Sequence, residues 1–201
     1  MDLKTAIEKR YSVRKFKTDP VPVEDIKELV RRAGLAPSVN NSQPWHFIAL
    51  TNRAKIAEIA DIVHDKVKTF FAETGKANVA KTVEHFSTVF ENAPVVVFVA
   101  NEPYMAIADE VIDHSRINEI RRHPDIQSIG AAIENFMLSA VDLGYGACWL
   151  SGLMVARKEL EALLDIAAPL ELVAAIALGI PDGESSGRGK KSLDEIFTLV
   201  D

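Results

Sequence analysis

The sequence contains a single cysteine, Cys148, among 201 residues. One thiol excludes an intramolecular disulfide and a cysteine-rich zinc site, and it favours a reducing, cytoplasmic setting. Long apolar runs are also missing. No uncharged apolar stretch approaches the roughly 20 residues that a membrane helix needs, and the charged first ten residues contain no signal-peptide core. We therefore expect no membrane partner.

An excess of positive charge is absent too, because 23 Lys and Arg residues face 29 Asp and Glu residues, for a net charge of −6. Nucleic-acid binding requires a broad basic surface, so we expect no nucleic-acid partner. The cations nevertheless concentrate at both ends of the chain. Residues 1–19 have a local charge of +3, and the stretch "GRGKK" (187–191) adds three cations without an acid. These ends are either solvated or form two halves of one anion site.

Several sequence motifs for metal binding, nucleotide binding and nucleophilic catalysis are also missing. The five histidines show no HExxH spacing, and neither a Walker A sequence nor a nucleophile elbow is present. We therefore expect no protein metal site and no catalytic nucleophile.

The composition is that of a globular protein, with 48% hydrophobic and 26% charged residues. The length favours a single domain over residues 1–201. Apolar spacing predicts helices at the start of the chain, over about 22–34, in two pieces within 53–92, over 124–144 and from about 156. Continuous apolar segments such as "VVVFVA" and "ELVAAIALG" predict strands covered on both faces. The expected fold is α+β, with helices on both sides of a small sheet.

The segment "RYSVRKF" (10–16) is the first candidate for function. In an extended chain, alternation places Arg10, Ser12 and Arg14 on one side and Tyr11 on the other. The segment is either a solvated strand edge or a site that recognises a phosphate or a polar ring. Arginine suits recognition because its planar fork makes two parallel charge-assisted hydrogen bonds.

Two further segments have the same ambiguity. "APSVNNSQPWHF" (36–47) is either a plain turn or a place where the amides of Asn41 and Gln43 read the edge of a flat heterocycle. "LGYGACWLSGL" (143–153) is either a glycine turn or a strand end where Ser151 and Gly152 direct a backbone N–H at a ligand.

Taken in order along the chain, these segments together with "GRGKKSLDEIF" resemble the nitroreductase family of FMN-dependent oxidoreductases. The motifs span essentially the whole sequence, and their order is more specific than any one of them. The resemblance implies an α+β sandwich with a central, mostly antiparallel sheet flanked by helices. It also implies an intertwined homodimer that binds FMN at the subunit interface.

The resemblance also implies which residues bind the cofactor. Arg10 and Ser12 would meet the phosphate or ribityl oxygens, Arg14 the pyrimidine edge, and Arg188 and Lys190 the phosphate. A backbone N–H of Ser151 or Gly152 would bond the ring nitrogen that accepts hydride. The residues implied as cofactor-binding are Arg10, Tyr11, Ser12, Arg14, Pro37, Ser38, Val39, Asn41, Gln43, Leu150, Ser151, Gly152, Arg188 and Lys190, with those from Pro37 to Asn41 reaching across from the partner subunit.

Two positions depart from the family pattern. Many relatives have glutamate or glycine where this chain has Ser151. Some relatives also place an asparagine and a lysine in the middle helix, and the stretch "HFSTVFEN" (85–92) has no lysine. The region 64–92 is therefore expected to differ and to form a wall over the substrate.

The activity implied by the resemblance is hydride transfer from NAD(P)H through FMN to a nitroaromatic, a quinone or another electron-poor acceptor. One shared binding site implies ping-pong kinetics. The flavin supplies the electrons, so no catalytic side chain is expected. Three alternatives stay open: a flavin-cleaving or dehalogenating relative, a non-catalytic flavin-binding or flavin-sensing dimer, and a structural dimer whose basic ends are solvated.

Overall fold

The computed structural model describes residues 1–183, 187 and 189–200. The helices of this part of the chain are α1 (Leu3–Lys9), α2 (Val23–Ala33), α3 (Arg53–Phe71), α4 (Ala77–Ser87), α5 (His114–Ile120), α6 (Pro124–Asp142), α7 (Arg157–Leu163) and α8 (Leu193–Ile196). The strands are β1 (Trp45–Leu50), β2 (Val95–Asn101), β3 (Gly146–Leu150) and β4 (Glu171–Gly179).

Local sequence signals explain where several helices begin and end. Asp2 caps α1, and its Oδ1 accepts a hydrogen bond of 3.0 Å from the backbone N–H of Thr5. Asn52 caps α3 in the same way. Gly75 separates α3 from α4 with φ of +66°, a conformation that glycine adopts without strain. Pro124 begins α6, where its missing N–H costs no hydrogen bond.

The four strands form an antiparallel sheet in the order β1-β2-β4-β3. Strand β2 shows why its sequence is apolar without interruption. Val96, Phe98 and Ala100 pack on one face with α3, whereas Val95, Val97 and Val99 pack on the other face with α2 and α6. Helices therefore cover both faces of the sheet, and the predicted α+β fold is confirmed.

Residues 10–17, called here the basic segment, lie beside β3, which forms one edge of the sheet. The backbone N–H of Val13 donates to the carbonyl of Ala147 at 3.0 Å, and that of Lys17 donates to Ile180 at 2.9 Å. These contacts are isolated bridges and not a continuous strand. The close approach needs a glycine in β3, because a Cβ on Gly146 would lie 2.5 Å from Cγ2 of Val13. The segment is thereby held next to the strand that ends at Leu150.

None of the helices in the described part of the chain is long and apolar enough to cross a membrane.

Candidate functional site

Two pockets adjoin at Arg14, which lines both of them. The first has a volume of about 380 Å³ and lies between the end of β3 and helix α4. The second has a volume of about 330 Å³ and follows the basic segment. The first is lined by Arg14, Thr82, Val83, Phe86, Ser87, Cys148, Trp149, Leu150, Ser151 and Gly152, and the second by Tyr11, Ser12, Val13, Arg14, Lys15, Pro181, Asp182 and Gly183.

The floor of the first pocket is a close contact between α4 and the turn after β3. A Cβ on Gly152 would lie 2.6 Å from Oγ of Ser87 and 3.2 Å from its Cα. No side chain fits at position 152 without a shift of α4 or of the turn, since real Cβ contacts under 3.0 Å are not formed. The glycine therefore lets helix and turn meet and leaves the backbone of residues 151–152 facing the pocket.

Arg14 is positioned by an aromatic ring and a backbone carbonyl. Its guanidinium carbon lies 5.9 Å from the centroid of Phe86, within range of a cation–π interaction. One of its terminal nitrogens donates to the carbonyl of Ser12 at 3.3 Å. The side chain is exposed, so the positive charge is available to a ligand in either pocket.

Cys148 lines the first pocket but is not poised as a nucleophile. Burial raises the pKa of its thiol, although the nearby charge of Arg14 and the hydroxyl of Ser12 oppose that effect. The thiol is therefore protonated at neutral pH. Reactive cysteines depend on a lowered pKa, so the pocket shows the reverse of that pattern.

The second pocket is formed where the segment after β4 returns to the basic segment. The backbone N–H of Asp182 donates to the carbonyl of Lys15 at 3.0 Å. Arg14 and Lys15 contribute two positive charges to the lining, and Asp182 contributes one negative charge. The balance is positive, which suits an anionic group.

The C-terminal region also approaches this pocket. A Cβ on Gly187 would lie 3.6 Å from Cβ of Tyr11, which places the chain next to the basic segment. Lys190 is exposed. Arg188 lies outside the described residues, so its predicted contact with a phosphate stays a prediction.

Arg10 is held differently from Arg14. Its Nε lies 3.5 Å from a carboxylate oxygen of Glu134 on α6, and its side chain is 20% exposed. Arg10 does not line either pocket that contains Arg14. Its predicted role in phosphate binding is not tested by this arrangement.

The loop 37–43 is held by two hydrogen bonds to serine side chains and does not line the two pockets. Its backbone is anchored by Ser128 Oγ, which accepts from the N–H of Val39 at 3.0 Å, and by Ser38 Oγ, which accepts from the N–H of Gln43 at 2.9 Å. Asn41 and Gln43 have φ of +55° and +51°. Such values are unusual for residues other than glycine, and they often mark functional sites.

The side chains of Asn41 and Gln43 and the ring of Pro37 are exposed, whereas Ser38 and Val39 are half-buried. Neither pocket that contains Arg14 is lined by any residue from 37 to 43, all of which the structure describes. Within one chain, this loop does not share a pocket with the other predicted residues.

The structure thus brings together Arg14, Leu150, Ser151 and Gly152 in one pocket, and Tyr11, Ser12 and Arg14 in the next. The expectation that region 64–92 contributes a wall agrees with the lining supplied by α4. Sequence reasoning missed the particular side chains that α4 presents, which are Thr82, Val83, Phe86 and Ser87. Their helical spacing predicts one shared face but not what that face covers.

The fold defines a class of protein: an α+β sandwich with two adjoining pockets beside β3. The profile of the nitroreductase family matches residues 7–180. The chain belongs to the nitroreductase family, as the sequence motifs indicated.

Comparison with known proteins identifies several relatives. A BluB-like flavoprotein from Clostridium difficile 630 is 37% identical, with full coverage of both chains and a TM-score of 0.90. The 5,6-dimethylbenzimidazole synthase of Rhodospirillum rubrum is 29% identical over 87% of this chain and 80% of that protein. The FMN and NADPH-dependent nitroreductase NfnB from Sphigopyxis sp. strain HMH is 19% identical, with full coverage of both chains and a TM-score of 0.77, so it shows a shared fold.

Proposed function

We propose that this chain is an FMN-dependent oxidoreductase that takes hydride from NAD(P)H and passes it to a nitroaromatic, a quinone or another electron-poor acceptor. The observation that carries the proposal is the position of Arg14 between two adjoining pockets of different character. FMN has a flat ring at one end and a phosphate at the other, so it matches two adjoining pockets with the positive charge of Arg14 between them.

The residues of the first pocket suit the ring. Val83 and Phe86 on α4 and Leu150 on β3 supply apolar surface, and the 151–152 backbone supplies polar groups. Arg14 would face the pyrimidine edge, where its charge favours an anionic reduced ring by attraction of opposite charges. When bound, FMN supplies the redox chemistry, and the protein supplies position and electrostatics.

The residues of the second pocket suit the phosphate tail. Ser12 and Lys15 provide a hydroxyl and a positive charge, and the C-terminal region passes beside Tyr11. Phosphate carries about −1.5 to −2 charges at neutral pH, so charge-assisted hydrogen bonds to these groups stabilise it strongly. In this arrangement Arg188 and Lys190 would approach the same phosphate.

We further propose that the protein works as a homodimer. The segment after Lys191 has large apolar residues that are exposed, among them Phe197 at 59% and Leu199 at 73%. The outer edge of β1 pairs with no strand in the described part of the chain. A groove of about 540 Å³ lies beside that edge, lined by apolar residues of α2 and β1 together with Lys27, Arg31 and Thr51. The C-terminal segment of a second copy is the occupant that we assign to this groove.

A dimer would also give the loop 37–43 a role. Its strained backbone and exposed amides lie outside the pockets of their own chain. Reaching across the interface, they would contact the cofactor bound to the partner. The predicted residues of the loop 37–43 and those of the two pockets would then belong to one site, which forms only when two copies of the chain associate.

The proposal is tested with the purified full chain, reconstituted with FMN and examined by absorption and fluorescence. We expect a yellow protein that oxidises NADH or NADPH when menadione or a nitroaromatic is added. Initial rates at varied concentrations of both substrates should give parallel double-reciprocal lines. A protein that takes up no FMN would contradict the proposal, and a yellow protein without turnover would favour the non-catalytic flavin-binding or flavin-sensing alternative.

The relatives favour a second candidate, in which bound flavin is itself the substrate. The 37% identity to a BluB-like flavoprotein and the 29% identity to 5,6-dimethylbenzimidazole synthase support it. Incubation of the protein with reduced FMN in air, followed by chromatography, separates the two candidates. Loss of flavin with appearance of 5,6-dimethylbenzimidazole would favour the second, whereas recovery of intact FMN would favour the first.

A further inference from the structure

We propose that the hydroxyl of Ser87 is a positioning hydrogen-bond partner for the reactive nitrogen of the flavin ring, and that it serves this nitrogen in both redox states. The inference rests on the proposed function, because it concerns how the ring is held in the first pocket. The sequence analysis marked the stretch 85–92 as a departure from the family pattern but gave Ser87 no role.

Ser87 is buried yet lines the pocket. It is the last residue of α4, and only 1% of its surface is exposed. Its Oγ lies 2.6 Å from the position that a Cβ on Gly152 would occupy. The hydroxyl is therefore placed directly against the backbone of residues 151–152, on the floor of the pocket and not at its mouth.

The neighbouring Thr88 shows how a buried hydroxyl at this end of α4 can be satisfied within the chain. Thr88 donates its hydroxyl to the carbonyl of Glu84 at 2.9 Å, which satisfies it within the chain. The Ser87 hydroxyl forms no hydrogen bond of this kind among the described residues. Ser87 lines the first pocket, so a ligand bound there can supply the hydrogen bond, and one such bond is worth about 0.5–1.5 kcal/mol.

The chemistry of the ring explains why a hydroxyl is useful there. The nitrogen that takes up hydride accepts a hydrogen bond in the oxidised ring and carries a donating N–H in the reduced ring. A backbone N–H at Ser151 or Gly152 can serve only the oxidised form, because it can only donate. A hydroxyl rotates to donate or to accept, so Ser87 can serve both forms.

The test is the Ser87→Ala variant of the full chain. We expect its affinity for oxidised FMN, measured by fluorescence quenching, to fall about two- to tenfold, as for loss of one hydrogen bond. The affinity for reduced FMN should fall further, because a backbone N–H cannot accept the hydrogen bond that the Ser87 hydroxyl would have accepted. A tenfold greater loss for reduced flavin corresponds to a midpoint potential about 30 mV lower for a two-electron couple.

Thr88→Val is the matched control. Thr88 is also buried, and it does not line either pocket that contains Arg14. If loosening the end of α4 were the cause, this variant would shift the potential as Ser87→Ala does. An unchanged potential in Thr88→Val, with a lowered one in Ser87→Ala, supports the inference.

A third variant, Ser151→Ala, tests the exposed hydroxyl at the mouth of the pocket. A lowered potential in Ser151→Ala together with an unchanged one in Ser87→Ala would overturn the inference and assign the role to Ser151. Wild-type protein that binds no FMN would instead overturn the proposed function. Wild-type protein that binds FMN, alongside a Ser87→Ala variant with wild-type affinity and potential, would overturn the inference alone.

Discussion

The guanidinium carbon of Arg14 lies 5.9 Å from the centroid of the Phe86 ring. This contact joins the basic segment near the start of the chain to helix α4. It places a fixed positive charge at the junction of the two pockets, where the ring and the phosphate tail of FMN would be joined. Both the shape of the site and its charge therefore depend on Arg14.

Substitution of Arg14 should weaken FMN binding strongly. Loss of a charge-assisted hydrogen bond costs about 1.5–3 kcal/mol, so Arg14→Met is expected to raise the dissociation constant at least about tenfold. Arg14→Lys should recover only part of the loss, because an ammonium lacks the planar fork that makes two parallel hydrogen bonds. Fluorescence titration with FMN measures both effects.

The control for this prediction is Lys55→Met, which removes a positive charge from the exposed first turn of α3, outside both pockets. It should leave FMN affinity unchanged. Equal losses in Arg14→Met and Lys55→Met would mean that overall charge, and not the position of Arg14, governs binding.

Gly152→Ala should destabilise the fold even in the absence of a ligand. The added Cβ meets Ser87 at 2.6 Å, and overpacking of this kind typically costs about 1–3 kcal/mol in the free energy of unfolding. Urea denaturation measures the cost. In a double-mutant cycle, Ser87→Gly should recover part of it, because two of the crowding atoms are removed.

Gly189→Ala is the matched control for that substitution, because a Cβ at Gly189 meets nothing within 4 Å. Its free energy of unfolding should stay within about 0.5 kcal/mol of the wild type. A Gly152→Ala variant of wild-type stability would show that α4 moves freely, and that the pocket floor is not rigid.

Charged residues in the C-terminal segment should break the proposed dimer. Phe197→Lys with Leu199→Lys places two positive charges where we expect an apolar contact with the groove beside β1 of a second copy, whose lining already includes Lys27 and Arg31. Light scattering after gel filtration should show a dimer for the wild type and a monomer for the double variant. The monomer should also bind FMN more weakly, because it lacks the partner's loop 37–43.

Phe70→Lys is the comparison for this experiment. It makes the same chemical change at a residue of α3 that is 69% exposed and lies outside the groove. It should remain dimeric. A dimer that survives the tail substitutions would place the interface elsewhere on the surface.

His64 should make stability depend on pH. Burial by itself lowers the pKa of His64, but hydrogen bonds to two carboxylates outweigh it and raise that pKa above its usual value. One ring nitrogen lies 2.7 Å from Glu84 on α4, and the other lies 3.2 Å from Glu91. Lys68 lies 3.9 Å from Glu84 and competes for the same carboxylate.

Because the folded state holds the proton more tightly, the stabilisation is fully present below the unfolded pKa of about 6.5. It should be lost as pH rises through the raised pKa of the folded state. Urea denaturation of wild type and His64→Asn should be measured from below pH 6.5 to above the raised pKa of the folded state. The difference in the free energy of unfolding should shrink as pH rises. A difference that is constant with pH would mean that His64 contributes through packing and not through its charge.

Much of the fold is predictable because its causes are local. Asp2 and Asn52 cap helices within a few residues, Pro124 begins α6, and the uninterrupted apolar run of β2 follows from helices on both of its faces. The order of the four motifs along the chain likewise points to the family, which the profile match over residues 7–180 confirms.

The sequence by itself determined the longer helices, the apolar strands and the family, since periodicity and capping act over a few residues, but it did not predict the short helix α5. Only the tertiary structure decided that α4 forms the pocket wall, that Ser87 meets Gly152, and that the Arg14 guanidinium lies over the Phe86 ring. It also separated the loop 37–43 from the pocket of its own chain. The physical reason is that these contacts join segments far apart in the chain, and their geometry depends on how whole helices dock on the sheet.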